Sequence, residues 1–519
     1  MDENLKELIF SRQFLLGPRP FVLTNQWKAT PLEKSLILST HPKLDFEIET
    51  AGSCTLVLLG YIIDPFNPAK TSAEILTDII EKATDVLTVI DATIHLSGRW
   101  VLIYFDSQDS VIFTDPYGLR QVYYHVNNEG FWCGSQPEII KAATGLDLNK
   151  NKNFLEFITS LNYQSTECAL VGNKTRYADC YHLLPNHFLN LNTGSSIRFF
   201  PQKKPSSVTV DNAIQIASSI LKGSMDAISQ RFSAMLAVTA GWDTRLLFAA
   251  TKNVSSRFVY YVDRMGALPP YHPDVQVPQR LFQKLGLNFV VKNSREDPPE
   301  WFMKILSQSV SEARLLPKTR MIYGVFSEGL KSIDVNGNGS EVCRNFYDKF
   351  SLISGDNPTT AELAGFMGYY KSKFVKNELA DWENGLELNG TFGYHILDLL
   401  YWEQRMSNWG AHYASEQDVS IEDFKPFNNR LLVITLLSLP REYRSGPRFP
   451  IYTKLIEEMW PEALAEPINP TNFFSSYLHL CFDHLPLSIR SRLKLIRFAL
   501  KDFLKISKGR LKRPVVFLK

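Results

Sequence analysis

The 519-residue sequence contains no CxxC pair. Its six cysteines, Cys54, Cys133, Cys168, Cys180, Cys343 and Cys481, are scattered along the chain. That spacing argues against a zinc site and against a disulfide framework. No stretch approaches the roughly 18 uninterrupted apolar residues of a membrane span, so no transmembrane segment is expected. The opening Met1-Asp2-Glu3-Asn4-Leu5-Lys6 lacks a basic segment followed by an apolar run, and no secretory signal is expected. An excess of one charge is missing too, since 56 Lys+Arg against 54 Asp+Glu leave a net of +2. This excludes a basic nucleic-acid coat and an acidic disordered chain, so no nucleic-acid partner is expected. Neither GxGxxG nor GxxxxGK[ST] occurs, which removes the dinucleotide fingerprint and the Walker A loop. What remains is an ordinary globular composition, 45% hydrophobic, in a chain long enough for two or three domains of roughly 100–200 residues each. A cytoplasmic protein is the expectation.

Residues 1–200 read as strands and short helices. Leu56 to Ile63 is a buried-strand run. Arg99–Phe105 and Val111–Thr114 flank a polar turn at 106–110, and Gln121–Tyr124 and Phe131–Cys133 flank Asn127-Asn128-Glu129-Gly130. Both pairs predict hairpins, and Thr71 to Leu87 carries helical periodicity. The expected class here is α+β with antiparallel sheets. Pro201-Gln202-Lys203-Lys204-Pro205-Ser206-Ser207 reads as a linker. Beyond it the rhythm changes. Strands at 234–239, 257–262, 288–291 and 332–336 alternate with helices, which predicts an α/β parallel sheet over the region 208–480, with a mostly helical part after Ala361. Such sheets bind ligands at the carboxyl ends of their strands.

Two loops at strand ends carry candidate chemistry. Thr239-Ala240-Gly241-Trp242-Asp243-Thr244 leads straight into a helix. Small residues let backbone amides approach an anion, the helix start adds positive potential, and Asp243 supplies a carboxylate that could hold a metal. The plain alternative is a strand-to-helix turn with Asp243 or Thr244 as N-cap. Asn336-Gly337-Asn338-Gly339-Ser340-Glu341 follows the fourth strand and adds a second carboxylate, Glu341. A flexible turn is the plain reading of this loop taken alone.

The first loop resembles the SGGxDS pyrophosphate loop of asparagine synthetases and related ATP pyrophosphatases. Val335 to Tyr347 aligns without gaps with their LSGDGGDELFGGY-like motif. Leu96-Ser97-Gly98-Arg99-Trp100, Asp115 to Arg120, Tyr123-Tyr124, Ser135 and Leu184-Pro185-Asn186-His187 resemble landmarks of the family's glutamine amidotransferase domain. Glu403 to Ser407 and Lys425 to Arg430 resemble its later helical stretch. The resemblance is collinear over nearly the whole chain and extends to β-lactam synthetases and lasso-peptide cyclases. It implies an Ntn-hydrolase-like antiparallel sandwich over 1–200, and then a HUP-type (adenine nucleotide α-hydrolase-like) synthetase domain. It further implies ATP as substrate, Mg²⁺ as cofactor, and amide formation from a small-molecule or peptide carboxylate and an amine acceptor through an acyl-adenylate. By the same resemblance Thr239, Ala240, Gly241 and Thr244 would cradle the phosphates, Asp243 and Glu341 would bind the metal, and Asn336 and Gly337 would border the adenosine. A homodimer is compatible with this reading.

Departures from the family pattern keep a second reading open. Asn338 stands where the family has an acid, Val342 where it has Glu, and the stretch Glu466-Pro467-Ile468-Asn469-Pro470 offers no counterpart of its downstream lysine. A nucleotide-binding pseudoenzyme or scaffold is therefore an alternative, as is asparagine synthesis from free ammonia. The family's glutaminase uses an N-terminal cysteine whose own α-amine is the base. Here position 2 is Asp and the first cysteine is Cys54, which reads as a small buried core residue, so no glutamine hydrolysis is expected. Finally, from Arg490 to Lys519 eleven Lys/Arg face one acid, a local net of +10. Ile489, Leu493, Ile496, Leu500 and Phe503 share a helical face within this tail, 485–519. Either it docks on the preceding domain with its charges solvated, or it makes peripheral contact with an anionic membrane surface or an acidic partner.

Overall fold

The computed structural model describes residues 3–311, 318–347 and 357–470. The basic tail at 485–519 and Cys481 lie outside the described residues. Two six-stranded antiparallel sheets occupy the N-terminal part. One runs in the order Cys180–His182, Tyr123–Asn127, Gly130–Gly134, Phe14–Gly17, Ile37–Thr40, Lys28–Pro31. The other runs Ser196–Arg198, His187–Asn190, Ser110–Thr114, Ser97–Phe105, Cys54–Ile63, Phe46–Ala51. Both expected hairpins are present.

The sheets face each other, and the side chains explain why. In Cys54–Ile63, Val57 and Leu59 point into a core shared with Phe14, Leu16 and Leu38 of the opposite sheet. Leu56 and Leu58 point the other way, onto the helices Ser72–Ile80 and Val86–Ala92. A strand covered on both faces is apolar at every position, which is why this one lacks alternation. The outer face of the first sheet is covered in turn: Leu15 and Trp132 share a core with Ile139 and Ile140 of Pro137–Thr144 and with Phe302, Ile305 and Leu306 of Glu300–Ser309. Helix, sheet, sheet and helix thus stack in four layers. The periodic run from Thr71 splits into two helices because Asp85 caps a new one, accepting from the Thr88 amide.

The later sheet is parallel and has five strands: β1 Ala234–Ala237, β2 Phe258–Asp263, β3 Val290–Lys292, β4 Ile333–Val335 and β5 Glu422–Phe424. Their order is β3-β2-β1-β4-β5, with every pairing parallel. Strand order therefore reverses between β1 and β4, and the carboxyl ends of these two neighbours border the crevice where such sheets take ligands. Helix α1 (Val210–Arg231) precedes β1, α2 (Trp242–Ala250) follows it, and α3 (Pro273–Leu285) joins β2 to β3. Among the described residues no helix is long and apolar enough to cross a membrane.

The parallel sheet is fastened to the antiparallel ones by buried polar contacts. The Arg99 guanidinium meets Asp418 at 2.5 and 2.8 Å and Glu422 at 2.7 Å. Arg120 Nη2 lies 3.1 Å from Glu422, and Arg12 Nε lies 3.5 Å from it. Asn428 donates to the Gly98 carbonyl and accepts from the Tyr117 amide, while the Tyr61 hydroxyl donates to the Asp423 carbonyl. Asp115, a landmark of the sequence resemblance, accepts from the amides of Trp100, Tyr117, Leu119 and Arg120 and so shapes the turn that presents Tyr117. In α1, Gly223 passes so close to the Pro65 carbonyl that a Cβ would sit 1.8 Å from its oxygen. A further buried anchor is Glu403, in a π-helical stretch over Leu400–Gly410. It accepts from Arg198 at 2.6 and 2.8 Å, from Asn186 at 2.8 Å and from Trp382 at 2.7 Å. Burial opposes its ionisation, but these donors, Arg198 first, hold the carboxyl below its usual range.

Candidate functional site

Both sequence-derived loops lie at the reversal between β1 and β4. The first leaves β1 after Ala237 and enters α2 at Trp242, so the helix begins within the six-residue motif and not after it. Gly241 is the N-cap and makes no side-chain capping bond, so neither Asp243 nor Thr244 caps the helix. Thr244 Oγ1 instead reaches back to accept from the Thr239 amide at 3.0 Å, and Thr239 Oγ1 accepts from the Gly241 amide at 3.2 Å. The Ala240 amide donates to Asp274 Oδ1 in the first turn of α3 at 3.1 Å. Three loop amides are thus held by the protein's own side chains. The first-turn amides of Trp242, Asp243 and Thr244 are those a helix leaves without an intrahelical partner.

The second loop lies directly on this helix start. A Cβ on Gly337 would fall 2.8 Å from Asp243 Cβ and 3.1 Å from its carbonyl carbon, so only glycine permits this approach. Asn336 does not turn its side chain toward the first loop. Its Nδ2 donates to Asp423 Oδ2 at 2.7 Å and to Asp334 Oδ2 at 3.3 Å, and its Oδ1 accepts from the Asn338 amide. Beneath it the buried Lys425 amine pairs with Asp423, and the Tyr261 hydroxyl donates to Asp334 at 2.7 Å. This network fixes the loop's base. Tyr117 from the N-terminal sheets donates to the Gly339 carbonyl at 3.0 Å, and Tyr452 donates to the Ser340 carbonyl at 2.7 Å.

Asp243 and Glu341 converge as the sequence suggests, but around a cation supplied by the chain. Arg344 Nη2 stands 3.1 Å from both Asp243 oxygens and 3.4 Å from Glu341 Oε1. Its guanidinium lies 5.0 Å from the Phe449 ring centroid and 5.9 Å from that of Tyr452. Asp243 also accepts from the Ser340 hydroxyl, and Glu341 Oε2 accepts from the Gly339 amide at 3.1 Å. Burial and then the Asp243 charge push the Glu341 carboxyl up to about 7. Among the described residues no three His, Cys, Asp or Glu side chains are grouped to hold a metal ion. Two carboxylates already bridged by a guanidinium are not a donor set for Mg²⁺, which takes octahedral oxygen ligation. The residues present do not fit the metal that the resemblance implies.

The segment that should bring a lysine also reaches the first loop. Arg245, fully buried, donates from Nη1 to the Ala463 and Glu466 carbonyls at 2.8 and 2.9 Å, and the Asn469 amide donates to the Ala240 carbonyl at 2.8 Å. The residue delivered there is the neutral Asn469. The sequence reading missed Arg344, Asp274, Asn469 and Tyr117 as site residues. Only Arg344 left a local signal, a cation three residues after Glu341. Among the described residues no thiol joins these loops as a nucleophile: burial raises Cys343 to about 12, and Cys54 begins its strand half-buried with Sγ 3.5 Å from the Tyr104 hydroxyl, not sealed in a core ahead of it.

No protein-family model matches the chain, and no curated protein matches it. Among solved structures, the allosteric regulatory enzyme of purine biosynthesis is 10% identical, with 62% of this chain and 83% of that one covered and a TM-score of 0.23. The glutamine phosphoribosylpyrophosphate amidotransferase from B. subtilis, complexed with ADP and GMP, is 10% identical, with 65% and 72% covered and a TM-score of 0.20. Likeness at such scores carries no argument about fold or activity.

Proposed function

We propose that the two loops bind the triphosphate of ATP and that the protein joins a carboxylate to an amine through an acyl-adenylate. One observation carries this reading. Loops whose carboxylates, Asp243 and Glu341, are 98 residues apart in sequence, both resembling phosphate-binding motifs of asparagine synthetase-like enzymes, are in contact across the reversal point of a parallel sheet. In this reading residues 1–200 form a degenerate Ntn-hydrolase-like domain and 208–480 a HUP-type synthetase domain. A substrate carboxylate oxygen attacks the α-phosphorus of ATP and pyrophosphate leaves. The amine then attacks the acyl carbon and AMP leaves. The first-turn amides of α2 and the hydroxyls of Thr239 and Thr244 would hold the departing pyrophosphate in line. The test is pyrophosphate release from ATP across a panel of carboxylates and amines. Release that requires one particular carboxylate is expected. A folded protein that neither binds ATP nor releases pyrophosphate with any acid would refute the proposal.

A second reading, a nucleotide-binding scaffold without ligase chemistry, is favoured by Asn338, neutral where the resemblance calls for an acid, and by a downstream segment that brings the neutral Asn469 to the first loop. ATP binding without pyrophosphate release from any acid would select it.

Glutamate release from glutamine, with ATP and acid present, is expected to stay at the blank. Amide hydrolysis by this route needs a thiol and a free α-amine on one residue. Each described cysteine lies within the chain, and burial raises the thiols of Cys133 and Cys180, the latter to about 12. The strand Phe14–Gly17 begins against chain that precedes it: Gln13 donates to the Ser309 carbonyl at 2.8 Å, and the Phe14 amide to Ser135 Oγ at 2.9 Å. The amine acceptor is then free ammonia, another amine, or a group on the same substrate.

A further inference from the structure

We propose that Arg344 takes the place of a protein-bound divalent ion at this site, so that phosphate binding here needs no resident metal. The inference rests on the ATP-binding reading for its ligand but not for its charge chemistry. A metal at such a site does two things: it neutralises the carboxylates that hold it, and it presents positive charge to phosphate oxygens. The Arg344 guanidinium is built for both. Nη2 makes contacts to both Asp243 and Glu341. A guanidinium carries five N–H donors in a fixed fork, matched to carboxylate on one edge and phosphate on another. Its Nε is buried and has no hydrogen-bond partner among the described residues, so donor capacity is left over. The aromatic rings of Phe449 and Tyr452 fix the plane of the fork. A mobile lysine could leave the carboxylates to a metal at little cost. An arginine clamped by two acids and two rings cannot.

Two measurements on the full-length protein test this. The first uses Mn²⁺ as a spectroscopic probe, by electron paramagnetic resonance, with no nucleotide present. Wild type is expected to show no stoichiometric site, and Arg344→Gln, which uncovers both carboxylates, is expected to gain one. A stoichiometric Mn²⁺ site in the wild type overturns the proposal, whatever ATP does. The second is calorimetry with ATP. Wild-type affinity is expected to agree within twofold between EDTA and Mg²⁺, and Arg344→Gln is expected to lose at least tenfold in EDTA while Arg344→Lys loses less. Binding that falls tenfold or more in EDTA overturns the inference and leaves the ATP reading intact. Absence of ATP binding in both buffers overturns the ATP reading and the phosphate half of the inference, while the Mn²⁺ result decides the metal half. The wild-type arms need no variant to fold.

Discussion

Replacing Glu422 by alanine is expected to lower the free energy of unfolding by about 3–5 kcal/mol at pH 7, the usual cost of stranding one side of a buried ion pair. Glu422 faces three guanidinium groups, those of Arg120, Arg99 and Arg12. Arg99 and Arg120 are almost completely buried. Arg99 would keep Asp418, whereas Arg120 would keep only the carbonyls of Arg99 and Arg12. Burial opposes the Glu422 charge, but the three cations prevail and hold its carboxyl at about 2, down from 4.5. A depressed carboxyl contributes stability that is complete above its unfolded value and lost as pH falls through the folded one. The difference between wild type and variant should therefore be full at pH 7 and shrink from pH 4.5 toward pH 2. Urea melts across that range check it. The control is Glu129→Ala, which breaks a half-exposed pair with Arg19 at 3.4 Å and should stay within about 0.5 kcal/mol. Equal effects of the two substitutions would refute the account.

Gly337→Ala is expected to reduce ATP affinity by about 10- to 100-fold without unfolding the protein, since displacing a binding group by a fraction of an ångström to 1 Å has effects of that order. The added Cβ meets Asp243 Cβ at 2.8 Å, its carbonyl carbon at 3.1 Å and the Thr244 amide nitrogen at 3.3 Å. Backbone atoms at the start of a helix cannot rotate aside as a side chain can, so the loops must part. Gly385→Ala is the matched control. It lies in the helix Lys373–Asn389 with nothing within 4 Å of its Cβ, and should be neutral or stabilise by up to about 1 kcal/mol. Calorimetry with ATP reads the first effect and thermal melts the second. Unchanged affinity in Gly337→Ala would separate the second loop from the nucleotide site.

The pattern of residues revealed the antiparallel sheets, both hairpins and four parallel strands, because each depends on a local apolar run or on a turn residue. It did not reveal β5, for a physical reason. Glu422 and Asp423 do not read as interior strand, and Glu422 is tolerable there because Arg99, Arg120 and Arg12 arrive from distant segments, while Asp423 pairs with Lys425 two residues on. The site divides in the same way. The two loops and their carboxylates were visible as motifs. The cation between them was not, because Arg344 has meaning only once Asp243, about 100 residues earlier, is brought beside it. Asn336 shows the converse: its place in the motif suggested a ligand contact, but the buried acids below it claim its amide.

The fastening of the two sheet systems bears on how such a chain can evolve. The N-terminal sheets cannot be shed. Their deletion would strip Asn428, Glu422, Asp418 and the carbonyls of Asp423 and Gly339 of the N-terminal donors that satisfy them, and each such group that stays out of reach of water costs about 1–3 kcal/mol. Gly223 sharpens the point, since the long helix has already given up a side chain to pass Pro65. Natural selection acting on the parallel-sheet half alone would still preserve the N-terminal half, for the surface it covers.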